Sequence, residues 1–137
     1  MSIADYETVS TARSQLGDVF RRAEARTAVT VRRDGELYAV LAAEPLRELL
    51  VHSIPSQVTV HRESGEVVAL MRDQPFVASG LTVDEAVDDL ITVLREYQED
   101  WEDHLSTAPN HAPNWGLVQL VKLSTDDQLR EWLEARE

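Results

Sequence analysis

The fold of the first part of this chain is decided by YETVSTARSQL at residues 6–16 and AVTVRRDGELYAVL at residues 28–41. In the second stretch, two runs rich in β-branched and aromatic residues flank Asp34-Gly35. Asp-Gly supplies the positive φ angles that a tight turn between antiparallel strands requires. The second stretch therefore predicts a β-hairpin.

The first stretch and its neighbours predict a short strand, Ile3–Val9, followed by an amphipathic helix. Ser10 or Thr11 can cap this helix, which is expected to end near Arg26. A second helix is expected to begin around Pro45, because proline is tolerated in a first helical turn. The apolar or small side chains at helical spacing, which are expected to face inward, are Ala12, Leu16, Val19, Phe20 and Ala23.

Pro55 marks a predicted domain boundary, with one domain at residues 1–53 and another at residues 54–137. The expected fold class is α+β. The first domain would have the order β-α-β-β-α, and the second would contain a β-hairpin, a long helix, a strand and a C-terminal helix. A unit as small as the first buries little surface and usually needs a partner subunit.

The second domain is expected to be folded along its whole length. Thr82 and Glu85 have the spacing of a capping box, which predicts a long amphipathic helix that reaches about Leu105. Ser124 and Asp127 have the same spacing and predict the final helix. The other predicted features are strands at Gln57–His61, Glu66–Arg72, Phe76–Ala78 and Leu117–Leu123, and inward side chains Leu129, Trp132 and Leu133 on the final helix.

Charge is distributed unevenly along the chain, whose formal net charge is -12. Residues 1–50 carry seven arginines and eight acids, whereas residues 51–137 carry six lysines or arginines and seventeen acids. The nearly neutral part can form a local positive patch that engages phosphate, and the acidic part would attract a basic partner. On charge alone, a purely solubilising role for the acids remains open.

Composition and motifs argue against several classes of protein. The chain has no cysteine, which removes disulfides and thiolate metal sites. Its four histidines lack metal-binding spacing, and neither a nucleophile elbow nor a glycine-rich phosphate loop is present. We therefore expect no enzyme activity and no cofactor or metal. No apolar run approaches the roughly 18 residues that span a bilayer, and the N-terminus does not resemble an export signal, so a cytoplasmic location is expected.

Residues 3–50 resemble the Phd/YefM (prevent-host-death) family of type II antitoxins. The resemblance rests on STARSQL at residues 10–16, which is similar to the family signature at the start of the first helix, and on the arginine-containing hairpin that follows. Thr11 stands where an acid is usual, and Gln15 stands where asparagine is common. The resemblance implies a homodimer, or a higher oligomer, that binds its own operator DNA, represses transcription and neutralises a co-encoded toxin.

By position, the resemblance assigns DNA contacts to Arg13 in the first motif and to Arg32 and Arg33 in the hairpin. Thr11 and Ser14 would hold phosphate at a helix N-terminus, while the planar guanidinium of Arg13 contacts guanine. These five residues are the candidate DNA-binding site.

The arginines also have ordinary structural explanations. Arg13 could be solvated or could pair with Glu7 or Asp18, and the hairpin arginines could protect an edge strand from aggregation. The alternative function is a protein-interaction module that keeps a Phd-like dimer fold but has lost DNA binding. In that case the arginines should be dispersed over the domain.

Residues 56–105 resemble HicB-like antitoxin domains, in which a hairpin is followed by a capped helix. The matching motif is GLTVDEA at residues 80–86. The same residues also describe a generic capped amphipathic helix, and this alternative remains open.

Acidic side chains recur along the predicted long helix, and Asp84, Asp88 and Glu99 are candidate contacts to the toxin. A solvated polar face is the alternative. Trp115 lies between amide-rich loop residues and either holds the loop on the core or contacts the partner. The expected toxin is a basic RelE/ParE-like ribonuclease or translation inhibitor, and no membrane partner is expected.

Overall fold

A computed structural model describes residues 3–135 of the 137-residue chain. The fold is α+β, with helices and two small antiparallel sheets. The chain divides into two compact units, Met1–Leu46 and Arg47–Glu137, here called unit 1 and unit 2. The division falls within a helix, whereas the sequence predicted one between residues 53 and 54.

Unit 1 contains the predicted hairpin. Asp34 and Gly35 have φ angles of 50° and 82°, which is the turn geometry that the Asp-Gly pair predicts. Val29 pairs with Val40 and Arg33 pairs with Glu36 across the two strands. The elements are α1 (Val9–Ser14), α2 (Leu16–Glu24), β1 (Val29–Arg33), β2 (Glu36–Val40) and the start of α3 (Ala43–Ser53), in which Pro45 occupies the first turn.

The predicted strand at Ile3–Val9 and the predicted single first helix are both wrong in detail. Among residues 3–9 only Tyr6 forms a β-bridge, to Val31. Thr8 caps α1, because its side-chain oxygen accepts the backbone N–H of Thr11 at 3.1 Å. Gln15, with φ -122° and ψ 33°, leaves the helical region and separates α1 from α2. The helix therefore starts earlier than predicted and is interrupted.

The core of unit 1 is small. Its members are nearly inaccessible to solvent, but two of them are alanines that bury little surface. Leu16 and Phe20 were expected inward and are instead 52% and 55% exposed. The buried residues of this core are Tyr6, Ala12, Val19, Ala23 and Val29.

After the remainder of α3, unit 2 contains a three-stranded antiparallel sheet in the order β3-β4-β5, as the hairpin and short-strand predictions require. Ser64 and Gly65 form the tight turn, with φ angles of 51° and 83°. The elements are β3 (Val58–Glu63), β4 (Glu66–Met71), β5 (Val77–Gly80), α4 (Val83–Asp100), a π-helical turn (Trp101–Leu105), a 3-10 turn (Ala112–Asn114), α5 (Trp115–Leu123) and α6 (Asp126–Glu134).

The core of unit 2 lies where α4 packs on β4 and β5 and where α5 and α6 pack on α4. The predicted long helix is confirmed, and its leucines Leu90 and Leu94 are fully buried. Trp132 is buried on α6, where its indole N–H donates to the Ile54 carbonyl at 2.8 Å. Leu129 and Leu133 are buried beside it, as predicted.

The predicted strand at Leu117–Leu123 is wrong, because these residues form most of α5. Leu117, Val118, Leu120 and Val121 are all buried, at the spacing of a helix that is covered on a broad face. A short apolar run of leucine and valine has no alternation that distinguishes a buried strand from a buried helix.

The final helix begins one residue later than predicted. Thr125 caps α6, and the backbone N–H of Gln128 donates to the Thr125 hydroxyl at 3.1 Å. The Gln128 side chain accepts the backbone N–H of Thr125 at 2.9 Å, which completes a capping box. The pair Thr125 and Gln128 therefore replaces Ser124 and Asp127. Within residues 3–135 no helix is both long and apolar enough to cross a membrane.

Candidate functional site

The α1 segment carries three of the five predicted DNA contacts. Because Thr8 is the cap, Thr11 lies one turn inside the helix, and its hydroxyl is 2.9 Å from the Thr8 hydroxyl. Ser14 donates its hydroxyl to the Thr11 carbonyl at 2.9 Å. Arg13 is exposed and lies in the last turn. Thr11 therefore does not lie at the N-terminus of α1, whereas Ser14 directly precedes Gln15, the N-cap of α2. Both side chains are exposed on the same short helix as Arg13.

The two hairpin arginines differ in their surroundings. The Arg32 side chain is 22% exposed, and its Nε donates to Glu7 Oε2 at 3.0 Å. The Arg33 side chain is 68% exposed, and its Nε lies 3.7 Å from Asp34 Oδ2. Successive residues of a strand point to opposite faces of the sheet. Arg33 is therefore the more accessible cation, and the two cannot both lie on one face of the hairpin.

The acids considered as partners of Arg13 pair with other arginines. Glu7 pairs with Arg32, and Asp18 pairs with Arg21 one helical turn away. Sequence spacing could not identify the Glu7–Arg32 pair, because these residues are 25 positions apart and meet only when the chain folds.

Two carboxylates hold the segment before α1 against β1, a role that no sequence motif indicates. Asp5 Oδ2 accepts the backbone N–H of Thr30 at 3.0 Å, and this bond, with the Arg22 charge, lowers the pKa of Asp5. Glu7 Oε1 accepts the Ala4 N–H at 3.0 Å, and this bond, with Arg32, lowers the pKa of Glu7. Each carboxylate is favoured in its charged form by N–H groups that only the folded chain presents.

Unit 1 exposes several large apolar side chains on elements that pack against one another. Leu16 and Phe20 are one helical turn apart on α2, and Tyr38 on β2 is 54% exposed. β2 pairs with β1 alone among the described residues, so its other edge is open. The other large apolar side chains exposed on this unit are Ile3, Val9, Leu37 and Leu41.

In unit 2, the candidate acids lie on the solvent side of α4. Asp84, Asp88 and Glu99 are exposed and separated by four and eleven residues, which are close to one and three helical turns and place them on the same side of the helix. Arg130 on α6 forms ion pairs with Asp84 and Asp88. Asp84 and Asp88 thus connect α4 with α6, whereas Glu99 lies further along the same exposed face.

The Gly80 motif has a structural explanation. A Cβ on Gly80 would lie 2.5 Å from Glu85 Cβ and 2.7 Å from the Ala86 nitrogen, so only glycine lets the chain turn this closely onto α4. The Thr82 hydroxyl accepts the Glu85 N–H at 3.2 Å, and Glu85 Oε2 accepts the Leu81 N–H at 2.8 Å. These residues start the helix.

Trp115 does not hold the preceding loop on the core, because it is 55% exposed. A network of other side chains holds the loop instead. Tyr97 Oη is 2.9 Å from His111 Nδ1 and accepts a bond from Asn114 Nδ2 at 2.8 Å. The Trp101 indole N–H donates to the His111 carbonyl at 2.9 Å. Trp115 is therefore available to a partner.

No group of three or more His, Cys, Asp or Glu side chains that could hold a metal ion is found within residues 3–135. The arrangement consists of exposed cations and apolar side chains on unit 1, and exposed carboxylates with an exposed tryptophan on unit 2. Such surfaces are suited to binding macromolecules.

Comparison with known proteins gives a match of fold. No family model matches the chain, and no curated protein matches its sequence. The fold is similar to the crystal structure of the antitoxin part of a candidate toxin/antitoxin system from Syntrophomonas wolfei subsp. wolfei, with a TM-score of 0.78. The match covers 93% of this chain and 95% of that chain at 17% sequence identity. The two proteins therefore share a fold along nearly their whole length.

Proposed function

We propose that the chain is the antitoxin of a type II toxin–antitoxin system. Unit 1 dimerises and binds operator DNA to repress transcription, and unit 2 binds and neutralises a co-encoded toxin. The observation that carries the proposal is the fold shared over 93% of the chain with a protein described as an antitoxin. The Phd/YefM-like motifs of residues 3–50 support DNA binding by unit 1, and the acidity of the rest of the chain supports toxin binding by unit 2.

The exposed apolar side chains of unit 1 support a homodimer. Leu16 and Phe20 on α2 are each more than half exposed, and Tyr38 lies exposed on a strand with an open edge. A second copy of the unit would remove this apolar surface from water, which the small core of one copy does not do. In a twofold dimer each DNA-contacting residue occurs twice and matches a palindromic operator.

The proposed DNA contacts can be ordered by how exposed each arginine is. Arg13 and Arg33 are the first candidates because both are exposed. Arg32 would have to exchange the Glu7 carboxylate for a phosphate oxygen. Thr11 and Ser14 are exposed beside Arg13 and are candidates for phosphate contacts, which position a protein on DNA without reading sequence.

The proposed toxin-binding surface of unit 2 includes the exposed acids of α4 and Trp115. Asp84, Asp88 and Glu99 would attract a basic protein and speed its encounter with the antitoxin. An exposed tryptophan provides a large area that a partner can bury, as binding hot spots commonly do. A RelE/ParE-like ribonuclease fits this chemistry, because an enzyme that handles RNA carries a basic surface that the acidic unit would cover.

The test is a growth assay with the protein encoded beside this chain. Expression of that neighbour alone should arrest growth, and co-expression of this chain should restore it. Glu96 is exposed on α4 about one turn before Glu99. The double variant Glu96→Lys/Glu99→Lys should fail to restore growth, because two reversed charges on the exposed side of α4 repel a basic toxin. Failure of the unaltered chain to rescue growth would contradict the proposal.

A matched control reverses the same number of charges elsewhere in unit 2. Glu63 and Glu66 are exposed at the end of the β3–β4 hairpin. The double variant Glu63→Lys/Glu66→Lys should restore growth as the unaltered chain does. Equal loss of rescue in both double variants would indicate an effect of net charge and would contradict the assignment of the surface to α4.

Two observations favour a second function, a protein-interaction module with a Phd-like dimer fold that no longer binds DNA. Arg32, which the family resemblance assigns to DNA, is 22% exposed and paired with Glu7. Thr8 already caps the first turn of α1. If the chain binds the neighbouring gene product but does not bind promoter DNA, this second function is favoured.

A further inference from the structure

A groove of about 470 Å³ opens in unit 2 between β3, α4 and α6. Its apolar walls are formed by Val58 and Val60 of β3, Val83 and Val87 of α4, and Leu133 of α6. The groove exists because α4 packs on β4 and β5. A helix about 10 Å wide covers roughly two strands spaced about 4.8 Å apart, which leaves the third strand uncovered. Val60 and Val83 are accordingly 45% and 47% exposed.

The backbone of β3 presents a free edge beside this groove. Among the described residues β3 pairs only with β4. The Arg72 N–H donates to the Gln57 carbonyl at 3.0 Å, and in an antiparallel pair the hydrogen-bonded positions alternate. The backbone N–H and C=O groups of Val58 and Val60 therefore point away from β4. An extended segment that added as a strand would satisfy these groups, whereas a helix would not.

Charged side chains border the groove. Arg130 pairs with Asp84 and Asp88 of α4 and with Glu134, which also lines the groove. Three carboxylates thus face one guanidinium at this rim. Among the described residues, Arg72 also lines the groove, and Arg62 follows Val58 and Val60 on the same side of β3, so acids and arginines nearly balance at the groove itself. The attraction of a basic partner therefore comes from the whole of residues 51–137, which carry seventeen acids and six lysines or arginines.

We propose that this groove binds an extended basic segment of the protein partner, which adds as a strand to the free edge of β3. The inference rests on the proposed function for the identity of the partner and specifies where one of its segments binds. Alternate apolar side chains of the segment enter between Val60 and Val83. Its lysine or arginine side chains meet Asp84 and Asp88 at the rim.

The first test uses a synthetic peptide that alternates valine with lysine, capped at both ends, and the full-length chain. The peptide should bind, and hydrogen exchange at the amides of Val58 and Val60 should slow. A serine–lysine peptide and a valine–glutamate peptide should each bind at least about tenfold more weakly, because one lacks apolar side chains and the other has the wrong charge. Absence of binding, or binding without protection of β3, would overturn the proposal.

Two variants locate the binding. Val60→Pro removes an outward N–H without removing a bond to β4, since proline is tolerated at strand edges. Val83→Lys places a positive charge in the groove. Each should weaken peptide binding about tenfold or more, because a central binding position is lost. The control is Val77→Lys, at a position 58% exposed on β5, outside the groove. Unchanged affinity in Val60→Pro and Val83→Lys would overturn the proposal.

The neighbouring gene product separates this inference from the proposed function. Val60→Pro and Val83→Lys should also weaken its binding at least about tenfold. If the neighbour binds these variants as tightly as the unaltered chain, the groove proposal fails and the antitoxin function stands. If the neighbour does not bind the unaltered chain while the valine–lysine peptide binds at β3, the antitoxin function fails and the groove remains a site for basic extended segments.

Discussion

The two units of this chain bury apolar surface to different extents. Unit 1 has a core of five side chains, two of which are alanines, and exposes Leu16, Phe20 and Tyr38. Unit 2 buries whole leucines such as Leu90 and Leu94 together with two tryptophans. A unit with a small core gains stability when a second copy covers its exposed apolar side chains. Unit 2 should therefore fold by itself, whereas the stability of unit 1 should depend on association.

The largest expected effect is in the core of unit 2. Leu94 is fully buried on α4, so Leu94→Ala should lower the free energy of unfolding by about 3 kcal/mol through lost burial and a cavity. Leu81→Ala, at a position 70% exposed, should change it by less than about 0.5 kcal/mol. Urea unfolding followed by tryptophan fluorescence reports on unit 2, because all three tryptophans lie there. Equal effects of the two variants would contradict the described core.

A smaller effect should appear in the association of unit 1. Phe20→Lys replaces an exposed apolar side chain on α2 with a charge and should weaken the proposed dimer by about 2 kcal/mol, the cost typical of a hot-spot residue. Sedimentation equilibrium over a range of concentrations measures this change. Val77→Lys makes the same kind of replacement in unit 2 and should leave the dimer unchanged. Identical dissociation constants for Phe20→Lys and the unaltered chain would contradict a dimer interface at this face of α2.

Two glycine substitutions should have opposite signs. Gly80→Ala should lower the free energy of unfolding by about 1–2 kcal/mol, because its Cβ would overlap Glu85 and Ala86 at the start of α4. Gly17→Ala, in α2, meets nothing within 4 Å and should raise the stability by up to about 1 kcal/mol. Thermal unfolding of both variants measures the difference. Stabilisation by Gly80→Ala would contradict the close approach at α4.

The smallest effect concerns the pH dependence of unit 1. Folding lowers the pKa of both Asp5 and Glu7. Their contribution to stability should therefore be present above their unfolded pKa values, which are about 4, and should be lost as the pH falls through the lower folded values. Thermal unfolding at a series of acidic pH values should show a steeper loss for the unaltered chain than for Asp5→Asn/Glu7→Gln. Parallel curves would contradict this role.

Sequence patterns predicted the features that are encoded locally. Asp34-Gly35 and Ser64-Gly65 determine two hairpin turns, and Thr82 caps the long helix. The fold class and the sheet of unit 2 follow from these signals. The residues of α5 form a short apolar run, and whether such a run becomes a buried strand or a buried helix depends on the rest of the fold. For this reason the sequence predicts a strand where the structure has α5.

The candidate surfaces were less predictable than the fold. The ion pair between Arg32 and Glu7 joins positions far apart in the sequence. The exposure of Leu16 and Phe20 could not be inferred from helical spacing, because this spacing marks an apolar face without saying which molecule covers it. The DNA-binding and partner-binding assignments therefore remain predictions.

The most direct test of the division between the units is binding of the purified chain to DNA from its own promoter, measured by fluorescence anisotropy over a series of salt concentrations. The account predicts tight binding that falls steeply with salt, because phosphate contacts release counterions. Arg13→Ala in unit 1 should weaken binding about tenfold or more, and Arg62→Ala in unit 2 should not. No binding above the non-specific level, or equal loss in both variants, would contradict the account.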